Sequence, residues 1–251
     1  MKKEIFEKIV KKKEFSKLPK QDVERVFKKF EKRDVSDEEK IRLTRDLLRK
    51  IFSAFLSKKL LKIKTKNAEW FLRKHISTKE RLEFYSEIYK KLLKNFKGSV
   101  IDLGCGVNGL SYNYFEKEMN YIGVEAVGQL VKLVNNYFEK EKISGKVYHQ
   151  SLFNLKEILK IIKKTKKPRI VFLFKTLDSL EMIERDFSKK LLLEISPFVN
   201  KIVVSFATRS LIKKTKFRAN RNWILNFIKK DFKILKEFET PYEKFIVFEK
   251  R

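Results

Sequence analysis

Three of the chain's 7 glycines lie in one short stretch, SVIDLGCGVNG at residues 99–109. Gly104, Gly106 and Gly109 follow an apolar run, where glycine allows a ligand to approach the backbone at a tight strand-to-helix turn. The spacing matches G-x-G-x-x-G, a pattern shared by several classes of cofactor site. The stretch therefore predicts a ligand-binding loop. Asp102, two residues before the first glycine, stands where dinucleotide-binding sites usually carry an apolar residue.

Two further polar side chains lie near the ends of predicted strands. Glu125 belongs to the stretch YIGVEA and Lys175 ends the stretch RIVFLFK. Parallel sheets bind ligands at the carboxyl ends of their strands, so Lys175 is a candidate site residue, and the alternative is a lysine that extends to the surface. For Glu125, a solvated carboxylate at the end of the strand is the alternative to a site role.

The cysteine and histidine content restricts the chemistry. The chain has one cysteine, Cys105, and two histidines, His75 and His149. We therefore expect no disulfide within the chain and no thiolate or histidine metal site. Cys105 lies in the glycine stretch and is interpreted as a packing residue.

The elements that must position these residues alternate between strand and helix from about residue 75. The amphipathic stretches between the first five strands predict helices and hence a parallel sheet. The last two strands are separated only by PYE at 241–243, which predicts a terminal hairpin with one antiparallel strand. The predicted strands are 99–104, 121–126, 146–151, 169–175, 201–207, 233–240 and 244–250.

Residues 1–74 differ from the rest of the chain. They contain no glycine, one proline and apolar residues at helical spacing, so they predict a helical domain, with residues 75–251 as a second domain. Ser36 and Glu39 form a capping-box pattern for a long helix over 37–59. A lysine run without an intervening acid predicts a basic face, formed by Lys58, Lys59, Lys62, Lys64 and Lys66.

The net charge of +29, from 61 Lys and Arg against 32 Asp and Glu, points to a polyanionic partner, with nucleic acid first. A lysine-rich composition from an AT-rich genome is the alternative. A second basic stretch, residues 209–223, interleaves cations with Phe217 and Trp223, which suits phosphate contacts and stacking on an unpaired base; a solvated loop is the alternative. Its cations are Arg209, Lys213, Lys214, Lys216, Arg218 and Arg221.

The N-terminal segment lacks the apolar core of a signal peptide, and no window approaches the roughly 20 apolar residues of a membrane-spanning helix. We therefore expect a cytoplasmic protein without membrane contact.

Two features of the chain, the terminal hairpin and Asp102 ahead of the glycines, resemble those of the S-adenosylmethionine-dependent methyltransferases. The Rossmann-like sheet of these enzymes is seven-stranded and mostly parallel. The resemblance implies that the glycine loop lies beneath the methionine and ribose, and that Glu125 accepts hydrogen bonds from the ribose hydroxyls. That superfamily often has an aspartate after the third strand that meets the adenine amine. This chain has HQSLFN there, so Gln150 or Ser151 would have to serve, and Leu152 is a further candidate for cofactor binding.

Three more stretches narrow the resemblance. RKHISTKERLEFY (73–85), LFKTLDSLE (173–181) and VVSFATRSL (203–211) resemble, in order and spacing, motifs of the aminoglycoside-resistance 16S rRNA guanine-N7 methyltransferases, with Ala207 where proline is common. The likeness spans about residues 70–225. It implies that Arg81 reaches the carboxylate of the cofactor, a planar partner for a guanidinium. Ser77 and Glu80 could instead form a capping box, and His75 could be a site residue or a core histidine.

The same resemblance places candidate positioning residues around the target base, namely Lys175, Ser205, Phe206 and Thr208. Phe206 would stack on the base or pack in the core. Guanine N7 has an available lone pair, so in-line methyl transfer needs positioning and desolvation rather than a base. Enzymes that methylate exocyclic amines share a [DN]-P-P-[YF] motif, whereas this chain reads KTLD at that place.

These features lead to one expected function. The chain is expected to act as a monomer on the decoding region of 16S rRNA in the 30S ribosomal subunit and to confer aminoglycoside resistance. The alternatives are a methyltransferase for another RNA such as tRNA, or a non-catalytic RNA-binding factor with the same fold. The charge disfavours a small-molecule methyltransferase.

Overall fold

The computed structural model of the protein describes residues 1–53, 66–209 and 221–251. Eight residues of the two predicted basic stretches lie outside the described residues: Lys58, Lys59, Lys62, Lys64, Lys213, Lys214, Lys216 and Arg218.

Seven strands form one sheet in the order β3-β2-β1-β4-β5-β7-β6. The first five strands are parallel, and β7 lies between β5 and β6, antiparallel to both. This confirms the predicted fold, including the single antiparallel strand. The strands are β1 Ser99–Leu103, β2 Asn120–Glu125, β3 Gly145–His149, β4 Arg169–Phe174, β5 Lys201–Ala207, β6 Phe232–Thr240 and β7 Glu243–Lys250.

The central strands β1 and β4 are buried at every position, because helices cover both faces of the sheet. Edge strand β6 is mostly exposed or half-buried instead. The helices that follow residue 66 are α4 Ala68–Lys74, α5 Ile76–Arg81, α6 Tyr85–Leu93, α7 Gly128–Lys140, α8 Leu155–Lys164, α9 Leu177–Ile183, α10 Phe187–Ile195 and α11 Asn222–Asp231. The strand order reverses between β1 and β4, which is where open α/β sheets form a crevice.

The glycine loop departs from the predicted turn into a helix. A 3₁₀ segment, Asn108–Tyr114, follows the loop in place of an α-helix. It has 7 residues, whereas α7, which lies between β2 and β3, has 13.

The N-terminal residues form α1 Lys3–Val10, α2 Lys20–Glu31, α3 Asp37–Leu48 and a π-helical turn Arg49–Ser53. Ser36 caps α3 by accepting a hydrogen bond from the Glu39 amide at 3.2 Å, as expected. The other half of the capping box does not form, because the Glu39 carboxylate pairs with Arg42. In the described part of the expected helix over 37–59, α3 continues directly into the π-helical turn.

The N-terminal helices pack directly on the sheet-bearing part of the chain. Ile9, Phe15 and Val23 belong to the same buried cluster as Tyr121 of β2 and Phe172 of β4. A second cluster lies on the opposite face of the sheet, against α8 to α11. Every helix within the described ranges is too short or too polar to cross a lipid bilayer.

Candidate active site

A cavity lies at the carboxyl ends of β1 to β4, beside the point where the strand order reverses. Eight of the sequence-predicted site residues line it: His75, Arg81, Asp102, Gly104, Gly106, Glu125, Leu152 and Lys175. These residues come from segments that are far apart in the chain. The topology of the sheet therefore brings most of the predicted cofactor residues together.

The glycine loop turns tightly over the end of β1. Gly104 and Gly106 have φ angles of +75° and +53°, a left-handed backbone that side chains disfavour. A Cβ at Gly106 would lie 3.2 Å from His75 Nε2, and one at Gly104 would lie 3.0 Å from the Thr176 side chain. Both glycines are therefore required by the backbone conformation and by the space above it.

Gly109 has a different role from the one predicted. A Cβ there would lie 2.7 Å from Val134 Cγ1 and 2.9 Å from Phe138 Cζ, both on α7. Gly109 is not one of the described residues that line the cavity. The third glycine of the pattern is thus required for packing against α7 and makes no approach to the cavity.

Two buried carboxylates hold the glycine loop. Glu125 accepts hydrogen bonds from the Gly106 amide at 2.8 Å and the Val127 amide at 2.7 Å. Asp102 accepts from Asn108 Nδ2 at 2.8 Å and Tyr121 Oη at 2.7 Å. Burial raises the pKa of both carboxyl groups, and these hydrogen bonds oppose that rise.

Arg81 lies in a buried ion pair that the sequence did not reveal. Its Nε donates to Glu243 Oε2 at 2.8 Å, Nη1 to Asn108 Oδ1 at 3.0 Å and Nη2 to Ser77 Oγ at 2.6 Å. Its guanidinium carbon lies 5.0 Å from the centre of the Phe174 ring. The three bonds use three of the five N–H donors of the guanidinium, which also lines the cavity.

Glu243, the first residue of β7, is fully buried and joins both cations of the site. Its Oε2 lies 3.3 Å from Lys175 Nζ, and its Oε1 accepts a hydrogen bond from the Ser205 hydroxyl. Burial opposes ionisation, yet Arg81 and Lys175 hold the pKa of Glu243 below its usual value. The signal in the sequence is an acidic residue directly before the apolar run KFIVF, within the stretch PYE that predicts the turn.

Lys175 has a left-handed backbone, with φ +56°, and its Nζ forms an ion pair with Glu80. It is 8 % exposed, so the alternative of a lysine that extends to the surface is wrong. The capping-box alternative for Ser77 and Glu80 is also wrong. Helix α5 starts at Ile76, which puts Ser77 inside the first turn, where it accepts from Arg81, while Glu80 pairs with Lys175.

His75 ends α4 and precedes α5, and it is 7 % exposed. Burial, followed by the charges of Arg81 and Lys175, lowers the pKa of His75 to about 3. The imidazole is therefore neutral at neutral pH and is a poor general base.

Three predicted positioning residues lie outside the cavity lining of the described chain. Ser205 is bound to Glu243, and Thr208 Oγ1 donates to the Pro241 carbonyl at 3.0 Å. Phe206 packs in the cluster on the α8–α11 side, because successive residues of β5 point to opposite faces of the sheet. The core alternative for Phe206 is therefore the one that the structure supports.

The segment after β3 is expected to contact adenine through Gln150 or Ser151, with Leu152 as a further candidate for cofactor binding. Leu152 lines the cavity, whereas Gln150 and Ser151 do not. The buried Ser151 hydroxyl donates to the carboxylate of Asp22 on α2, which does line the cavity. Sequence reasoning missed Asp22, since it is a single acidic residue in an N-terminal helix.

Three of the predicted RNA-binding cations lie within the described residues. Lys66 and Arg209 are exposed. Arg221 instead binds Asp178 Oδ2 at 2.8 Å and the Ala207 carbonyl at 2.9 Å. Its guanidinium therefore ties the start of α11 to α9 and β5, which leaves less of it available to phosphate.

Comparison with known proteins gives a match to one family model and matches to several solved structures. A model of the family described as "Ribosomal RNA methyltransferase (FmrO)" matches residues 33–222. No curated protein sequence matches significantly.

Several solved structures share the fold. The 16S rRNA methyltransferase RmtF, in complex with S-adenosyl-L-homocysteine, has a TM-score of 0.81 at 19% identity, covering 100% of both chains. An rRNA methylase from Escherichia coli has a TM-score of 0.76 at 20% identity, covering 99% of both chains. The 16S rRNA methylase ArmA has a TM-score of 0.58 at 24% identity, covering 82% of this chain and 97% of its own.

At these identities the structural likeness is one of fold. The family model covers most of the chain and, apart from Asp22, includes the residues that line the cavity. The methyltransferase fold, the glycine loop and the family match agree with one another. The chain belongs to the FmrO family of ribosomal RNA methyltransferases.

Proposed function

We propose that this protein transfers a methyl group from S-adenosylmethionine to N7 of a guanine in the decoding region of 16S rRNA, within the small ribosomal subunit. The observation that carries the proposal is the convergence of the glycine loop, the H-x-S-T-x-E-R segment and the fourth-strand lysine on one cavity. These are the motifs through which the sequence resembles the guanine-N7 enzymes.

The residues of the cavity fit S-adenosylmethionine, which supplies an electrophilic methyl group when bound. Gly104 and Gly106 line the cavity without a side chain, where an added Cβ would meet Thr176 or His75. Glu125 lies beside them as a hydrogen-bond acceptor for ribose hydroxyls. Arg81 retains N–H donors for a carboxylate, and Leu130, Leu152 and Phe153 provide an apolar end.

The chemistry of N7 suits what this chain offers. Methylation of N7 uses a lone pair and removes no proton, so no strong base is needed. His75 is a poor base because its pKa is lowered, and the Asp102 carboxylate is engaged by hydrogen bonds from Asn108 and Tyr121. The protein contributes by holding the base in line with the donor and by excluding water.

A target in 16S rRNA agrees with the charge of the chain and leads to the expected resistance and localisation. A net charge of +29 suits a structured RNA. Methylated N7 carries a positive charge, which would repel a cationic aminoglycoside and produce resistance. Because the ribosome is the substrate, we expect a cytoplasmic protein that acts as a monomer.

The test is transfer of tritiated methyl groups to intact small subunits, free 16S rRNA and tRNA. Label should enter the small subunit, and cleavage with borohydride and aniline followed by reverse transcription should place one N7-methylguanine in the decoding region. Label in tRNA alone would show that the target is a different RNA. Donor binding without transfer to any RNA, or no donor binding at all, would favour a non-catalytic factor.

A further inference from the structure

Asp22 is a buried carboxylate with no role in the proposed methyl transfer. It lies in the first turn of α2, is 1 % exposed and lines the cavity. Among the described residues, the Ser151 hydroxyl donates a hydrogen bond to it, and no lysine or arginine lies within salt-bridge distance. A carboxylate buried without a cation costs free energy, so such a group facing a cavity suggests a ligand that completes its hydrogen bonding.

The charged surroundings of Asp22 come from three elements. Arg25 follows it on α2, but its guanidinium pairs with Glu184 and lies 4.8 Å from the Phe153 ring. Glu125 faces it from β2 and His149 from β3. Burial is the main reason that the pKa of Asp22 rises to about 6, while Ser151 and Arg25 oppose the rise.

The position of Asp22 in the cavity indicates what it meets. Asp22 lines the same cavity as Glu125, the candidate ribose acceptor, and it is held by Ser151, which lies two residues after the end of β3. The lining also includes the apolar side chains of Leu130, Leu152 and Phe153, which suit a flat heterocycle. The part of the donor that follows the ribose is adenine, whose exocyclic amine is a hydrogen-bond donor.

We propose that Asp22 accepts the hydrogen bond from the exocyclic amine of the donor's adenine, with Ser151 holding the carboxylate in place. The inference rests on the proposed function, since it takes S-adenosylmethionine as the donor. The contact that the segment after β3 lacks is then supplied from an N-terminal helix. Donor binding and docking of the N-terminal helices against the sheet are therefore coupled through one side chain.

Calorimetric titration with two ligands tests this. S-adenosylhomocysteine carries the amine, whereas S-inosylhomocysteine has a carbonyl oxygen in its place. The wild type should prefer the adenosyl ligand by about tenfold or more, because the Asp22 carboxylate has no proton to donate to the carbonyl oxygen of the inosyl ligand. Asp22→Asn keeps an acceptor for Ser151 and adds an amide donor, so the preference should shrink to about equal or reverse. Glu24→Gln, the same change on the same helix at a half-buried position, should keep the wild-type preference.

The outcomes distinguish failure of the Asp22–adenine contact from failure of the proposed function. If Asp22→Asn keeps the full preference for the adenosyl ligand, Asp22 does not contact the amine. If the wild type binds neither ligand, the proposed function fails instead. The wild type also provides a test that does not depend on a variant that folds, because protonation of Asp22 below about pH 6 should reduce its preference relative to pH 8. A wild type that binds both ligands equally at pH 8 would overturn the inference.

Discussion

Glu243 accepts hydrogen bonds from Arg81 and Ser205 and lies 3.3 Å from Lys175 Nζ, in the buried centre of the site. One carboxylate thus fixes two cations that come from α5 and from the end of β4. Removing the charge from a buried pair leaves its partner uncompensated, which costs more than the pair contributes when intact. The C-terminal hairpin is therefore coupled to the cavity through this residue.

Glu243→Gln should lower the free energy of unfolding by about 3 kcal/mol at pH 7, because Arg81 and Lys175 then share the buried space without that carboxylate. Urea denaturation measures the difference. Glu239→Gln on the same hairpin, at an exposed position 4.0 Å from Lys244, should change it by less than about 0.5 kcal/mol. Equal effects of the two changes would mean that the buried network adds nothing specific.

Asp22 makes the stability of the ligand-free protein depend on pH. Its pKa is raised from 3.8 to about 6, so the folded state binds its proton more tightly than the unfolded state. The stabilisation is complete below pH 3.8 and is lost as the pH rises to about 6. In wild type relative to Asp22→Asn, the free energy of unfolding should fall by up to about 3 kcal/mol between pH 4 and pH 7. Urea denaturation of both proteins at several pH values measures this, and parallel pH profiles would contradict it.

At the scale of elements, the sequence predicted all seven strands to within a few residues. Their apolar runs are continuous because the central strands are buried on both faces, and the linking segments are amphipathic. The glycine spacing located the loop, but a spacing does not separate a glycine that a ligand requires from one that packing requires. Gly106 and Gly109 differ in this way.

Gly109→Ala and Gly106→Ala should therefore have different effects. Alanine at 109 meets Val134 at 2.7 Å, so it should lower stability by about 1–3 kcal/mol while leaving the affinity for S-adenosylhomocysteine within about twofold. Alanine at 106 has an unfavourable φ and points toward the cavity wall at His75, so it should weaken that affinity by about tenfold or more. Thermal unfolding and calorimetry measure the two quantities. Equal loss of donor affinity in both variants would show that Gly109 also contributes to the ligand site.

At the scale of the whole molecule, the pairs that escaped sequence analysis are those that join distant parts of the chain. Arg81 and Glu243 are 162 residues apart, and Asp22 and Ser151 are 129 residues apart. Periodicity and motif spacing report on neighbours within one element, so neither pair leaves a local pattern. The family resemblance pointed to Arg81 but carried no information on the residue that pairs with it.

Donor binding and RNA binding should be separable because the sequence assigns them to different residues. The donor cavity is lined by buried groups, whereas Lys213 and Lys214 belong to a basic stretch that the sequence predicts to contact RNA. Charge reversal there, Lys213→Glu with Lys214→Glu, should weaken RNA binding. It should also reduce the slope of log K against log salt concentration by about 1.5, as expected for the loss of two phosphate contacts.

Filter binding of 16S rRNA fragments at several salt concentrations measures the slope, and calorimetry with S-adenosylhomocysteine measures the cavity. The lysine variant should keep the wild-type donor affinity, whereas Arg81→Ala should lose donor affinity because the guanidinium lines the cavity. The loss of Arg81 also leaves Glu243 with fewer partners, so thermal unfolding must show that this variant is folded at the temperature used. If the lysine variant loses donor affinity to the same degree, the basic stretch and the cavity act as one site, and the division between a charged RNA surface and a buried donor pocket is wrong.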